Sequence, residues 1–442
     1  MSHYKPYPAY KDSGVEWLGK IPNDWQKFRI GIVFNERNQR GGEKTELLAV
    51  SQQYGVLPQT EFMEMTDRRL SMSMSEDWSN YKRVCKGDLV YNKMRLWQGA
   101  IGLSPHDGIV SPAYVVLQPQ IQLSGKFYEY LFKSPAFVTE AGRYSQGLCD
   151  DMNSCRFDDF KSAEVIMPPL QDQQEITRCL DRETTRIDAL ITKKTRFIEL
   201  LREKRQALIT QAVTKGLDPN VEMKDSGVEW LGQVPGHWEV SRLGFEAWVR
   251  ARLGWKGLKA EEYVDEGFVF LATPNIKGKD IDFENVNYID KIRFDESPEI
   301  KIQVGDVLLA KDGSTLGTVN VVRVLPRPAT VNSSIAVITP YQALDGIYLF
   351  YLFQSTYLIN TIQMIKGGMG VPHLFQADLN KFYIPLPPLE TQKSIITHID
   401  HETARIDALI ETTQRSIDLL KERRSALITA TVTGQIDVRE TH

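Results

Sequence analysis

The sequence predicts an α+β protein in which two similar large domains are separated by two long helices that pair as an antiparallel coiled coil. Three observations carry this: a duplication running through the chain, two heptad-patterned stretches free of proline and glycine, and short β-rich runs between them. A chain of 442 residues is about three times the ~150-residue domain expectation, so two or three cores are implied. Hydrophobic residues at 42% and charged residues at 25% are those of an ordinary globular chain, not of a disordered or collagenous one.

The duplication fixes the architecture first. KDSGVEWLG occupies Lys11–Gly19 and again Lys224–Gly232, followed by IPNDW at Ile21–Trp25 and VPGHW at Val234–Trp238, an offset of 213. PPL at Pro168–Leu170 recurs at Pro387–Leu389, ETTRIDALI at Glu183–Ile191 recurs as ETARIDALI, and REKRQALIT at Arg202–Thr210 recurs as KERRSALIT, at an offset of 219. Two long copies mean a duplicated module, not a solenoid of short units. The expected segments are 1–20, a shared N-terminal piece; 21–168, the first large domain; 169–216, the first long helix; 217–235, a shared linker; 236–386, the second large domain; 387–434, the second long helix; and 435–442, a tail. The shared piece stands before each large domain, and the chain stops just after the second helix. The repeat is therefore circular in character, and the two terminal segments should lie together.

The long helices follow from pattern. Pro168-Pro169 and Gly216 bracket a stretch, Asp172 to Thr214, that holds neither breaker, and at about 1.5 Å per residue it makes a rod of roughly 60 Å. Its apolar positions repeat every seven residues, with Leu180, Ile187, Leu201 and Leu208 on one line and Ile191 and Ile198 on the other. The second copy keeps the register, with Ile399, Ile406, Leu420 and Leu427 on one line and Ile410 and Ile417 on the other. These are a and d positions of a coiled-coil seam. The alternative is that each helix packs on its own domain. If a pseudo-two-fold axis relates the halves, the paired helices run antiparallel and the rod is a spacer.

The large domains share a frame with different fillings. Arg29, Gly31 and Arg37 match Arg242, Gly244 and Arg250; Gly87-Asp88, Lys93 and Gly99 match Gly305-Asp306, Lys311 and Gly317; YLFKS at Tyr130 matches YLFQS at Tyr351. Strand-like runs at Leu47–Val50, Asp88–Tyr91, Ala113–Leu117, Val304–Leu309 and Ser334–Ile338 alternate with turns, and Phe127–Ala141 and Ile347–Ile365 look helical.

Together, the KDSGVEWLG segments, the G-D strand, the PPL entry with Gln173 or Gln392, and the RIDALI and ALIT helices resemble the specificity subunit of type I restriction-modification systems. The resemblance covers essentially the whole chain. It implies that each large domain, a target-recognition domain, reads one half of a bipartite site in double-stranded DNA, and that the helix pair sets the gap. It further implies adenine methyltransferase subunits, two per chain, docked on the shared segments, and restriction-translocase subunits joining them. Chemistry then belongs to the partners: no cofactor is expected in this chain, with S-adenosylmethionine and ATP with magnesium in the partner subunits.

Composition sharpens where DNA contacts belong. A formal net charge of −4 gives no basic domain, so a DNA-binding face must be local. Phosphates are held by Lys and Arg, and base edges are read by amides and guanidinium groups. The basic loop candidates are Arg250, Arg252, Lys256 and Lys259, with Trp248 and Trp255 among them, against Arg37, Arg40 and Lys44 in the first domain. Lys93, Arg95 and Trp97 face Lys311, Ser314 and Thr315 after a matching strand, and Gln52, Gln53 and Tyr54 face Asn275 and Lys277 as base readers. For any one of these residues, a solvated turn is the plainer alternative.

Catalytic classes find little. No N/D-P-P-Y/F loop or Gly-rich cofactor motif is present, and Gly41-Gly42-Glu43-Lys44-Thr45 has the wrong spacing for a phosphate-binding loop. Cys85, Cys149, Cys155 and Cys179 form no C-x-x-C pair, and His398 and His401, one helix turn apart, are replaced by Cys179 and Arg182 in the first copy. Neither pattern makes a metal site. The absence of an apolar stretch near 18 residues leads to the expectation of a cytoplasmic protein without a membrane segment. The competing class is a pseudo-symmetric scaffold or an enzyme with a dispersed active site.

Overall fold

The computed structural model describes residues 4–41, 46–66, 78–145, 153–252, 258, 260–365 and 373–439. The chain divides into two compact units, one made of the residues up to Lys194 together with those from Arg415 onward, the other of Thr195–Gln414. The division passes through the long helices, because each half of a helix packs with the large domain nearest to it.

In the first unit a four-stranded antiparallel sheet is built from β1 (Phe34–Glu36), β2 (Leu89–Asn92), β3 (Ile101–Leu103) and β4 (Tyr114–Pro119), in the order β1-β4-β2-β3. The second unit repeats this with β5 (Ala247–Arg250), β6 (Val307–Ala310), β7 (Val319–Val321) and β8 (Ile335–Pro340), in the order β5-β8-β6-β7. In the inner strands β2 and β6, Leu89, Val90 and Tyr91 in one and Val307–Ala310 in the other are buried, which explains their continuous apolar runs. Both large domains are closed by the same clasp. Gln26–Arg29 pairs antiparallel with Glu164–Met167, and Glu239–Arg242 with Tyr383–Leu386, so the exit strand lies beside the entry strand and aims the chain into the long helix.

Each helical stretch of the large domains is two helices rather than one. Gly125–Lys133 and Pro135–Arg143 meet at Ser134, and Gly346–Phe353 and Thr356–Ile365 meet at Ser355. Both serines are fully buried, and the hydroxyl of Ser134 accepts from Phe137 N at 3.4 Å while that of Ser355 accepts from Leu358 N at 3.3 Å. An N-cap serine ends one helix and starts the next, which hydrophobic periodicity alone does not reveal.

The long helices are α1 (Leu170–Lys215) and α2 (Leu389–Val432). Of the seam residues, Leu180, Ile187, Ile198, Leu201, Ile399, Ile406, Ile417 and Leu427 are buried, and Ile191, Leu208, Ile410 and Leu420 are half-buried. In the first unit Leu180 shares a core with Leu427, Ile428 and Val432; in the second, Ile209, Ala212 and Val213 share one with Ile395, Ile396 and Ile399. The start of one helix meets the end of the other in each unit, which is antiparallel pairing.

The PPL-Gln entry is a clamp. Gln173 and Gln392 are buried; each Nε2 donates to a proline carbonyl, Pro168 or Pro387, at 2.8 Å, and each Oε1 accepts a backbone N–H, from Ser124 or Asp345, at 2.8 Å. Ser124 and Asp345 are the N-caps of the domain helices Gly125–Lys133 and Gly346–Phe353. The glutamine thus fixes the long helix to the domain that precedes it. KDSGVEWLG folds into a hairpin between Tyr10–Asp12 and Lys20–Pro22, and its copy does so between Met223–Asp225 and Gln233–Pro235. Gly14 and Gly227 have φ of 67° and 72°, the left-handed region that glycine enters without strain. Their N–H groups donate to Asp12 and Asp225 Oδ1 at 2.8 and 3.0 Å.

The terminal segments meet as the circular repeat requires. Asp437 N donates to Lys5 O at 2.7 Å, and Tyr10 Oη donates to Gln435 O at 3.2 Å.

Candidate nucleic-acid interface

In the first unit, β1 and the strand Lys82–Val84 place cations and amides around one cleft of about 490 Å³, lined by Asn38, Arg40, Asn80, Lys82, Lys93 and Pro112. Arg40 and Lys82 are bridge partners, and Arg40 Nη1 donates to Ser79 O at 3.3 Å and to the Asn80 side-chain oxygen. Lys82 Nζ lies 2.7 Å from Glu36 Oε1 and donates to Tyr114 O at 3.1 Å, and Lys93 Nζ donates to Pro112 O at 2.7 Å. Burial first, then the neighbouring Lys82, push the Lys93 ammonium below its ordinary pKa, although Glu36 opposes this. Glu36 neutralises Lys82, so the exposed Arg40 and the half-buried Lys93 are the cations this cleft offers to an anion.

The fold brings Arg40 and Lys93, distant in sequence, to one cleft, and adds Asn38, Asn80 and Lys82. No local motif marks these three residues; only the pairing of Arg40 with Lys82 across strands does. A second cluster forms in the same unit. Gln52, Gln53 and Tyr54 sit exposed on the turn between Leu48–Ser51 and Gly55–Pro58, Gln52 Nε2 donates to Gln98 O, and Arg95 Nη1 donates to Gln98 Oε1 at 3.2 Å. Trp97 Nε1 donates to Met94 O at 3.0 Å, holding the Met94–Trp97 turn.

Three residues expected at DNA are instead employed inside the domains. Arg37 makes a two-pronged pair with Asp88, Nε to Oδ2 at 2.8 Å and Nη2 to Oδ1 at 3.1 Å, and the matching Arg250 donates from Nη2 to Asp306 Oδ2 at 2.8 Å. The Arg250 and Asp306 side chains are 9% and 0% exposed, and burial opposes the charge of both, lowering the arginine and raising the aspartic acid. Thus the Arg and Gly-Asp of the shared frame are partners in the core. Asn275 is also buried: its Oδ1 accepts from Ala272 N and its Nδ2 donates to Asn285 O, both at 2.8 Å. It caps a turn, leaving no free edge for a base.

In the second unit Lys311 lies 3.2 Å from Asp312 Oδ2, Asp312 also pairs with His373 Nδ1, Ser314 is exposed, and Thr315 Oγ1 donates to Asp312 O at 3.3 Å. His373, unmarked by any motif, thus joins the Lys311–Thr315 turn. Arg252 is half-buried, two residues beyond the end of β5. Lys277 is elsewhere, exposed on a cleft of about 620 Å³ with Lys279, Arg323 and Arg205. Lys44, Lys256 and Lys259 lie outside the described residues. Among the described residues, no group of three or more side chains could hold a metal ion, and no helix is long and apolar enough to cross a membrane.

The geometry is that of a duplicated α+β domain joined to paired long helices, with amides and cations gathered at clefts. Residues 237–419 match the type I restriction modification DNA specificity domain. Over 95% of both chains, the sequence is 23% identical to the type I restriction enzyme MjaVIII specificity subunit of Methanocaldococcus jannaschii. It is 26% identical, over 96% of both, to the putative MjaX specificity subunit of the same organism. The fold is similar to that of a structure described as the basis of complex assembly and conformational transition of the type I R-M system, with a TM-score of 0.72 and 17% identity over 93% of this chain and 98% of that one. It is also similar to the HsdS subunit from Thermoanaerobacter tengcongensis, with a TM-score of 0.57 and 18% identity over 96% and 99%. The second half of the chain thus matches the DNA specificity domain of type I restriction modification, and the chain as a whole is similar in sequence to specificity subunits of such systems.

Proposed function

We propose that the chain is the non-catalytic reader of a type I restriction-modification complex, and that each large domain recognises one half of a bipartite site in double-stranded DNA. The observation that carries this is the first-unit cleft, where the amides of Asn38 and Asn80 stand among Arg40, Lys82 and Lys93. Amides and guanidinium groups can read base edges, while ammonium groups hold phosphates. The Gln52–Tyr54 turn with Arg95 and Trp97, the Lys311–Thr315 turn with His373, and Arg252 are the further contact candidates.

The paired helices set the gap between half-sites, and the shared segments recruit methyltransferase subunits, two per chain, and restriction-translocase subunits. S-adenosylmethionine and ATP with magnesium belong to those partners. A complex acting on cellular DNA works in the cytoplasm. Single-molecule sequencing of DNA from cells producing the chain with its companion methyltransferase, compared with cells lacking the chain, tests the reading. A bipartite methylated-adenine motif that depends on the chain is the expected result. An active, assembled methyltransferase without chain-dependent methylation would overturn it in favour of a scaffold.

A further inference from the structure

Within the shared parts of the two modules, one difference lies on the outer face of the long helix just after its proline pair. In the first unit chain segments cover it. The Tyr4 hydroxyl bonds to the Cys179 thiol, and Asp172 Oδ2 accepts from Arg439 Nη1 at 3.1 Å. Tyr7 packs edge-on against Trp25 at 5.6 Å beneath the Arg439 guanidinium at 4.6 Å. Asp172 and Cys179 are left 7% and 6% exposed.

At the offset of 219, the same positions on α2 are Thr391 and His398, and there Thr391 is half-buried while Ser394, His398 and His401 are exposed. A groove of about 350 Å³ opens between Thr391 and Ser394 on one side and Leu217, Val221 and Trp238 on the other. From Ser394 a second stretch of about 510 Å³ continues along the helix past Thr397, His398 and His401. The backbone repeats as well. Arg439 N donates to Asp437 Oδ1 at 3.0 Å, and Asn220 N donates to Asp218 Oδ1 at 2.9 Å. Asp437 N is bonded to Lys5 O, however, whereas among the described residues nothing accepts from Asp218 N. The second unit has the seat of the Tyr4–Tyr7 segment without the segment.

We propose that this groove is the docking site of an extended, tyrosine-bearing segment of a companion subunit, bound once per chain as Tyr4–Tyr7 is bound in the first unit. Such a segment would accept from Asp218 N through its backbone and lay one aromatic ring toward Leu217 and Trp238 and the next along His398, a form of strand addition. A lysine between the rings, as Lys5 is placed, complements the Asp218 carboxylate. A second copy of this chain is the poorer occupant, because its own Tyr4–Tyr7 segment is already engaged, with Tyr7 only 5% exposed. Among the described residues this face is covered in the first module and open in the second, so the groove serves a partner that breaks the pseudo-symmetry. The inference rests on the proposed function only in taking that partner from the same complex.

A fluorescein-labelled peptide Tyr-Lys-Pro-Tyr-Pro-Ala-Tyr, titrated with the full-length chain and followed by anisotropy, tests the seat without DNA. Saturable binding at one site per chain is expected, weakened at least about tenfold by Ser394→Trp and unchanged by Lys193→Trp, an exposed rod position. Assembly with the companion methyltransferase and restriction subunits should displace the peptide. Absence of saturable binding, equal binding by Ser394→Trp, or equal binding by the assembled complex would overturn the proposal. A reversible chain dimer abolished by Ser394→Trp would overturn it too, making the occupant a second copy. Peptide binding that persists while chain-dependent methylation is absent would sink the specificity reading alone.

Discussion

Arg205 Nε on α1 donates to Asp407 Oδ1 on α2 at 3.2 Å, and its counterpart pair is Arg424 Nη2 to Asp188 Oδ2, also at 3.2 Å. At an offset of 219, Arg205 corresponds to Arg424 and Asp188 to Asp407. The arginine of one helix copy therefore meets the aspartate of the other in each unit. This reciprocity is what an antiparallel pair of like helices must produce, and it pins their register. Parallel pairing would set like copies side by side and bring the arginines together.

Because these side chains are partly exposed, 32% for Arg205 and 49% for Asp407, each pair should contribute only about 0.2–1 kcal/mol. Reversal of both arginines to glutamate should lower the unfolding midpoint modestly and more so at low salt, and adding Asp188→Arg and Asp407→Arg should restore it. A four-fold variant as unstable as the double one would show that the carboxylates do not recognise their arginines. Inserting one heptad into each helix preserves the seam and should lengthen the gap in the methylated motif while leaving both half-sites intact.

Cutting the buried pairs should cost far more. Asp306→Ala leaves the Arg250 guanidinium in a site where its side chain is 9% exposed, and stranding one member of a buried ion pair costs roughly 3–5 kcal/mol. Replacing Arg250 and Asp306 together with Met and Leu should recover most of that loss in denaturant titrations. Recovery is the diagnostic, because a DNA-contacting Arg250 would instead leave stability unchanged and abolish one half of the recognised motif.

The duplication, both long helices and their seam were legible in the sequence because they rest on local period and close repetition. Ile187 and Ile406 announce a heptad wherever they fold. The candidate site was legible only in part, since sequence spacing carries no record of which strand lies beside which. Arg37 and Arg250 read as basic loop residues until Asp88 and Asp306, fifty-odd positions away, arrive next to them. Lys82 and Asn80 gained no weight until Lys82 was set across from Arg40. Asn275 has the chemistry of an adenine reader, but its amide is consumed by Ala272 and Asn285.

The first-unit cleft should separate affinity from specificity. Lys93→Ala and Arg40→Ala are expected to weaken DNA binding by the assembled complex on every sequence, each lowering the slope of log affinity against log salt by about 0.9 if one phosphate contact is lost. Asn80→Ala should leave the slope unchanged and relax one half-site, because a good base contact discriminates by about 1–3 kcal/mol. Filter binding across a salt series reads the first effect and methylome sequencing the second. A loss of slope with Asn80→Ala would transfer that residue to the phosphate contacts.

Acid should act on the two units unequally through Glu129. This carboxylate is buried at 7% exposure and accepts from Lys133 Nζ and Lys126 Nζ, both at 2.9 Å. Burial raises its pKa, but Lys133 and then Lys126 more than offset this and hold it below the ordinary value. A carboxyl group whose folded pKa is depressed adds stability above its unfolded pKa, near 4.3 for glutamate, and loses it as the pH falls through the folded value. The matching position in the second unit is Phe350, which does not titrate. Between pH 6 and pH 3 the parent chain should therefore lose more stability than Glu129→Gln, and hydrogen exchange should place the difference in the helix Gly125–Lys133 and its surroundings, not in Gly346–Phe353. Parallel pH curves for parent and variant would mean that the two lysines only neutralise the cost of burying Glu129 and give it no net preference for the charged form.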